Sequence, residues 1–287
     1  MKAVISSTHD SIYSFFIPIT TWCWNKLGID VILFVPNIPF LGPESIRQIT
    51  LMHQRMLLVE ATCKMNKSKV SWYSFNAPYD KQSTYAQCSR LYAGALDLPE
   101  DEILITSDVD MAVFTGFNDF LVSFDASVSQ KAFDGVLKII GFDLVPEGQY
   151  PMCYAIAPVA RWRKFMQIDE RGFLQCLDDQ LSAIECENMR GNLWSRDQEL
   201  LFMYTQKKPK IQFLRARPGT QFASCRVDRT DANWRSYLGE ALVDAHLWRE
   251  GYIDHNFANI LELLTFQYPE ENFQWLIDYK NAYIELL

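Results

Sequence analysis

Glycine and proline are scarce in this chain, twelve of each in 287 residues, and no low-complexity run interrupts it. With 49% apolar residues against 22% charged, that scarcity excludes a disordered polymer and points to a sizeable packed core. An excess of positive charge is also missing. Lys and Arg number 27 against 35 acids, a formal net charge of −8, whereas a nucleic-acid backbone as main partner asks for the opposite sign. No stretch approaches the roughly 18–20 uninterrupted apolar residues of a membrane span. The longest early candidate is broken by Pro18, Asn25, Lys26 and Asp30, and Met1–Ser7 is strand-like rather than leader-like. The seven cysteines, at 23, 63, 88, 153, 176, 186 and 225, form no Cys-x-x-Cys pair and none stands at zinc-finger spacing with histidine. They read as reduced, buried thiols. The expectation is a cytoplasmic protein with no membrane span and no nucleic-acid partner.

What is present is an alternation. Ala3–Ser6, Val31–Val35, Val70–Tyr73 and Ile103–Thr106 have strand length and composition, and helical patterns lie between them at about Ser14–Leu27, Ser45–Lys64 and Thr84–Leu96. The second helix is well marked. Pro43-Glu44 opens it, and Ile46, Ile49, Met52, Met56, Val59 and Cys63 recur at helical spacing. Strands apolar throughout, alternating with helices, predict an α/β fold with a mostly parallel central sheet flanked by helices. Later strands are predicted at Gly135–Gly141, Cys153–Ala157 and Ile211–Leu214, with helices at Pro158–Gln167, Gly172–Met189 and Asp197–Tyr204. The tail, Asn256–Leu264 and Phe273–Leu287, reads as a helical extension. The division expected is residues 1–250 as one unit and 251–287 as an extension packed on it. Ligands of such sheets gather at the carboxyl ends of the strands, here Ser7–Asp10, Pro36–Pro39, Asn76–Tyr79 and Ser107–Asp110.

The most informative triplet is Asp108-Val109-Asp110, at the end of an apolar run. Alternate strand residues share a face, so the two acids are expected side by side. Two carboxylates held together repel unless a cation lies between them or one is protonated. A hard divalent ion such as Mn²⁺ or Mg²⁺ accepts these oxygens and keeps positions open for substrate phosphates. Two solvated acids in a turn would show the same triplet.

An apolar strand ending in Ser-Asp-Val-Asp and resuming with Met111-Ala-Val-Phe114 resembles the DxD signature of GT-A-fold, metal-dependent glycosyltransferases. The resemblance spans about residues 1–250. It implies a Rossmann-related fold in which Asp108 and Asp110 hold a cation that bridges the diphosphate of a nucleotide-sugar, UDP- or GDP-linked. It places Ser7 and Thr8, in the polar loop Ser6–Asp10, and Asn76 and Tyr79 against the nucleotide, with Val109 beside them. It gives Arg90, in Ala86-Gln-Cys-Ser-Arg-Leu-Tyr92, to the donor, and Arg196 as a further positive charge on the diphosphate. The segment Trp194–Leu201 resembles the stretch that faces the reacting sugar, which makes Asp197 the catalytic candidate. Asp197 would be the base toward an acceptor hydroxyl if configuration inverts, and would position the sugar if it is retained. Asp244-Ala-His246 resembles the late histidine given to the metal. The acceptor implied is a glycan or glycoprotein.

Each residue also has a plainer reading. Asp197 can open a helix as its cap, His246 lies between apolar Val243 and Leu247, and Arg90 can be a solvated helix residue. His9, His53 and His255 carry weaker cases, and the tryptophans and tyrosines suit a core as well as a sugar platform. A phosphatase of the haloacid dehalogenase type also uses DxD, but wants Thr or Val where Ala112 stands. A nucleotidyltransferase wants a Gly-rich, basic first loop, and Ser6–Asp10 has no Gly, Lys or Arg. A non-catalytic carbohydrate-binding protein would need neither acid.

Overall fold

A computed structural model describes residues 1–38, 45–118, 137–141, 148–186, 195–205, 211–215, 226–230, 233–237 and 242–287, by backbone alone at 137–141, 183–186 and 211–215. Pro39, the opening Pro43-Glu44, the first two residues of the Gly135–Gly141 run, residues 187–189, Trp194 and Cys225 lie outside the described residues.

The first strands are β1 (Lys2–Ser6), β2 (Asp30–Pro36), β3 (Val70–Phe75) and β4 (Ile103–Thr106). Between them run helices α1 (Ser11–Lys26), α2 (Ile46–Met65) and α3 (Gln82–Ser89). Then come β5 (Met111–Val113), β6 (Leu137–Gly141), β7 (Ala155–Pro158) and helices α4 (Val159–Phe165), α5 (Gly172–Cys186) and α6 (Arg196–Thr205). Strands β8 (Ile211–Arg215), β9 (Arg226–Val227) and β10 (Asp244–His246) precede helices α7 (His255–Gln267) and α8 (Gln274–Ile284).

Seven strands form a central sheet in the order β3-β2-β1-β4-β7-β6-β8. The β3/β2, β2/β1, β1/β4 and β6/β8 pairs are parallel, while β7 runs antiparallel to both its neighbours. This is the mostly parallel, helix-flanked sheet expected from the alternation. A second sheet of three short strands, β5-β10-β9, was not foreseen. Strands of two or three residues are too short to show alternation.

Helix α1 explains much of the core. Asp10 caps it, its Oδ1 accepting from the amides of Ile12 at 2.8 Å and Tyr13 at 3.3 Å, and every residue from Ser14 to Trp24 is buried. One side meets the sheet and another the C-terminal helices, where Phe15 stacks on Tyr279 at 5.2 Å. Pro18 has no amide to give the Ser14 carbonyl four residues back, and the Tyr279 hydroxyl reaches that carbonyl and the next, at 3.5 and 3.3 Å. The helix predicted at Thr84–Leu96 stops at Ser89 and tightens into a 3₁₀ turn, Arg90–Ala95. That turn lies so close to α4 that a Cβ on Gly94 would stand 3.0 Å from Trp162 Cβ. Among the described residues no helix is long and apolar enough to cross a membrane.

A buried contact ties β10 to the residue before β7. The Tyr154 hydroxyl donates to Asp244 Oδ2 at 2.5 Å, and the Asp244 side chain is fully buried. Tyr154→Phe takes a donor from that carboxylate, an expected loss of about 1.5–3 kcal/mol. Chemical denaturation measures it, and a change under about 0.5 kcal/mol, the size of a neutral surface substitution, would show that the contact does not hold the strand.

Candidate active site

The chain leaves β4 at Thr106, at the carboxyl end of a strand flanked by β1 and β7. Ser107 still extends the ladder, its amide donating to the Val4 carbonyl at 3.0 Å. The Asp108–Asp110 triplet then turns the chain into β5. The acids are therefore not paired by strand alternation. A turn carries them, closed by the Met111 amide on the Asp108 carbonyl at 3.3 Å and pinned by the Thr20 hydroxyl on the Val109 carbonyl. Antiparallel pairing of β5 with β10 sets His246 opposite Met111, and the Leu247 amide donates to the Asp110 carbonyl at 2.8 Å. This brings together residues 136 positions apart. One ligand atom each from Asp108, Asp110 and His246 lie within 4.8 Å of one another, with His246 Nε2 3.2 Å from Asp110 Oδ2.

Asp108 faces a different neighbourhood. Arg90 Nη1 donates to its Oδ1 at 2.5 Å and to the Ser107 carbonyl at 2.8 Å, while Arg90 Nη2 pairs with Asp197 Oδ2. The guanidinium is thus a buried bridge between two acids. The Cys153 thiol donates to Asp108 Oδ2 at 3.1 Å. Burial is the largest influence on both carboxyls. For Asp108 the pull of Arg90 outweighs it and holds the group well below the usual carboxylate range. For Asp197 burial wins over Arg90, and the carboxyl is raised. Burial likewise pushes the Cys153 thiol far up, with Asp108 adding to it, so this sulfur stays protonated as a donor.

Asp110 is 3% exposed, and cations surround it. Arg229 Nη1 lies 3.2 Å and Arg249 Nε 3.3 Å from its Oδ2. Arg229 Nη1 is also 2.7 Å from His246 Nε2, and Arg249 reaches the Tyr13 hydroxyl. These groups line a cavity of about 240 Å³ together with Ser7, Thr8, Gln87, Arg90, Val109, Asp197 and Gln198, a little under the roughly 300 Å³ at which small-ligand clefts usually begin. Two carboxylates and a neutral imidazole are a donor set that suits a hard or borderline divalent ion. The residues present fit such an ion.

The structure thus gathers Ser7, Thr8, Arg90, Asp108, Val109, Asp110, Asp197 and His246 around one cavity. It does not bring Asn76 and Tyr79 to its lining. Asn76 accepts from Asn37 Nδ2 at 2.7 Å, and Tyr79 is 63% exposed. Arg196 is buried in a pair with Glu199 at 2.9 Å, outside the lining. Asp197 lies in the first turn of α6, one residue past its start. His9 is held at the Pro36 carbonyl, His53 lies within α2, and His255 opens α7. Arg229, Arg249, Cys153 and Gln87 were not singled out in the sequence. Arg249, three residues beyond His246, is the one that spacing from a named candidate could have suggested.

No family model and no characterised relative matches the sequence. Solved structures to which the chain is similar include glycosyltransferases. One is the galactosyltransferase LgtC in complex with donor and acceptor sugar analogues, 12% identical, with 86% of each chain covered and a TM-score of 0.49. Another is the glycosyltransferase GlyE of Streptococcus pneumoniae in its apo form, 12% identical, covering 85% of this chain and 54% of that one at a TM-score of 0.47. A third is mouse xyloside xylosyltransferase 1, 13% identical, covering 85% and 96% at 0.40. At these values no residue's role is carried over from them.

Proposed function

We propose that the chain is a glycosyltransferase. It moves a sugar from a nucleotide-diphosphate donor, UDP- or GDP-linked, to a hydroxyl of a glycan or glycoprotein acceptor, using Mn²⁺ or Mg²⁺ held by Asp108, Asp110 and His246. The observation that carries this reading is the convergence of those three side chains at the carboxyl end of the sheet, on a cavity that also presents guanidinium groups. When bound, such an ion supplies Lewis-acid and electrostatic stabilisation to a diphosphate leaving group.

The chain's own groups divide the remaining work. Asp108 and Asp110 bind the ion with His246, and the backbone turn that carries both acids orients them. Ser7, Thr8 and Val109 line the donor side. Arg90 holds Asp108, Asp197 and the Ser107 carbonyl through its two Nη atoms, so it positions those acids while it lines the cavity on the donor side. Asp197 has Oδ2 on Arg90 and Oδ1 accepting from the Gln198 amide at 2.9 Å. Held in this way and raised by burial, the carboxylate acts on the reacting sugar, as the base toward an acceptor hydroxyl if configuration inverts and as a positioning charge if it is retained. In this reading residues 1–250 form the nucleotide-sugar-binding and catalytic unit and 251–287 a helical extension.

The test is a panel of UDP- and GDP-sugars titrated with and without Mn²⁺. At ligand near 100 times Kd, binding adds about 2.7 kcal/mol of stability, a rise of about 5 °C in melting temperature for a chain of this size. At least one donor is expected to give that rise with Mn²⁺ and to lose it on chelation. A panel in which no member shifts the melting temperature sinks the reading.

A further inference from the structure

Three nitrogens crowd a single oxygen. His246 Nε2, Arg229 Nη1 and Arg249 Nε lie 3.2, 3.2 and 3.3 Å from Asp110 Oδ2, and Arg229 Nη1 is 2.7 Å from His246 Nε2. A guanidinium has donors only, so in this contact His246 Nε2 must accept, and its ring proton sits on Nδ1. That nitrogen has Asp228 Oδ2 3.9 Å away, near enough for a charge contact but beyond hydrogen-bond distance. The lone pair of Nε2 and the outer oxygen of Asp110 are the atoms a divalent ion would take at about 2.0–2.2 Å. Arg229 uses both. One lone pair cannot serve a guanidinium and a metal ion together.

The charges around the cavity point the same way. Asp108, Asp110 and Asp197 are matched by Arg90, Arg229 and Arg249, so the site is formally balanced as it stands. A divalent ion alone adds two positive charges to it. An ion arriving with a diphosphate restores the balance.

The geometry points to Arg229 as a resident stand-in for the divalent cation, with Arg249 as its second. This rests on the metal-site reading above and adds a coupling to it. Entry of the ion displaces the Arg229 guanidinium from His246 and Asp110. Both arginines are partly exposed, on long stems at the cavity wall, and turn their forks to the diphosphate, which guanidinium groups bind in bidentate fashion. Ion and diphosphate are then taken up together, each weakly without the other.

Free Mn²⁺ measured by electron paramagnetic resonance tests this without reference to activity. The protein is titrated with Mn²⁺ alone and with inorganic pyrophosphate, against protein-free controls for the Mn²⁺–pyrophosphate complex. Arg229→Gln is expected to bind Mn²⁺ alone about tenfold tighter than the parent protein, the worth of about one hydrogen bond to a charged group. Pyrophosphate should then tighten Mn²⁺ binding in the parent by more than in the variant. Arg249→Gln, which touches Asp110 but not His246, is expected to gain less. If Arg229→Gln does not fold, Arg229→Met of similar reach replaces it. Equal Mn²⁺ affinity in parent and variant overturns the stand-in role and leaves the metal site standing. No Mn²⁺ binding by either, with or without pyrophosphate, overturns both.

Discussion

Asp110→Asn is expected to lower Mn²⁺-dependent turnover of the donor by two to three orders of magnitude, the rate equivalent of the roughly 3–4 kcal/mol that a positioned charge-stabilising group supplies in a transition state. The substitution keeps the shape of the side chain and removes the charge on which His246, Arg229 and Arg249 converge. Residual turnover should no longer respond to Mn²⁺, and the donor-dependent rise in melting temperature should vanish with it. The fold should survive, because the Asp110 backbone keeps its bond to the Leu247 amide and both arginines reach solvent. A folded variant whose turnover still climbs with Mn²⁺ as in the parent would show that this carboxylate does not hold the ion. The same measurement separates a transferase from a carbohydrate-binding protein, which would tolerate the change.

How much of this was legible in the residues depends on how local each signal is. The strands β1 to β4 and helices α1 and α2 carry their pattern within four to twenty residues, so apolar runs and helical spacing reveal them. The 3₁₀ turn after α3 was hidden, because its cause is the closeness of Trp162 to Gly94, 68 residues away. Within the candidate site, Asp108 and Asp110 stand out as a triplet at a strand end. The expected reason for their pairing was strand alternation, whereas a turn in fact carries both. Arg229 carried no signal at all, and Arg249 only its place three residues beyond His246. A single arginine beside a two- or three-residue strand has no period to reveal it, and the partner that gives Arg229 meaning is 119 residues away. Arg90 shows what type and place leave out. They suggested a contact with the donor, and the residue does line the cavity, but its pairing with two acids of the chain shows only in the packing of α3 against α6.

That packing makes Arg90→Leu the substitution with the largest expected cost to stability. Arg90 is buried, Asp197 is 2% exposed, and removing the guanidinium leaves Asp197 and Asp108 facing each other without their shared counter-ion. Breaking a buried pair in this way costs about 3–5 kcal/mol, about 6–9 °C in melting temperature for a chain of this length. Arg90→Lys should recover only part of it. An ammonium is a point charge and cannot span two carboxylates and the Ser107 carbonyl at once. The pH dependence gives the cause away. Asp108 is held below its ordinary range in the native state, so the stability it draws from Arg90 is fully present above about pH 4 and is lost as the pH falls toward the lowered native value. The deficit of Arg90→Leu should therefore be largest near neutrality and already shrink above pH 4, because the stranded acids, left with burial alone, take up protons above the ordinary carboxylate range. Denaturation of parent and variant from pH 7 down to pH 3 measures it. A deficit under about 1 kcal/mol at pH 7, the range of an exposed pair, would mean that Arg90 does not bind the two acids together.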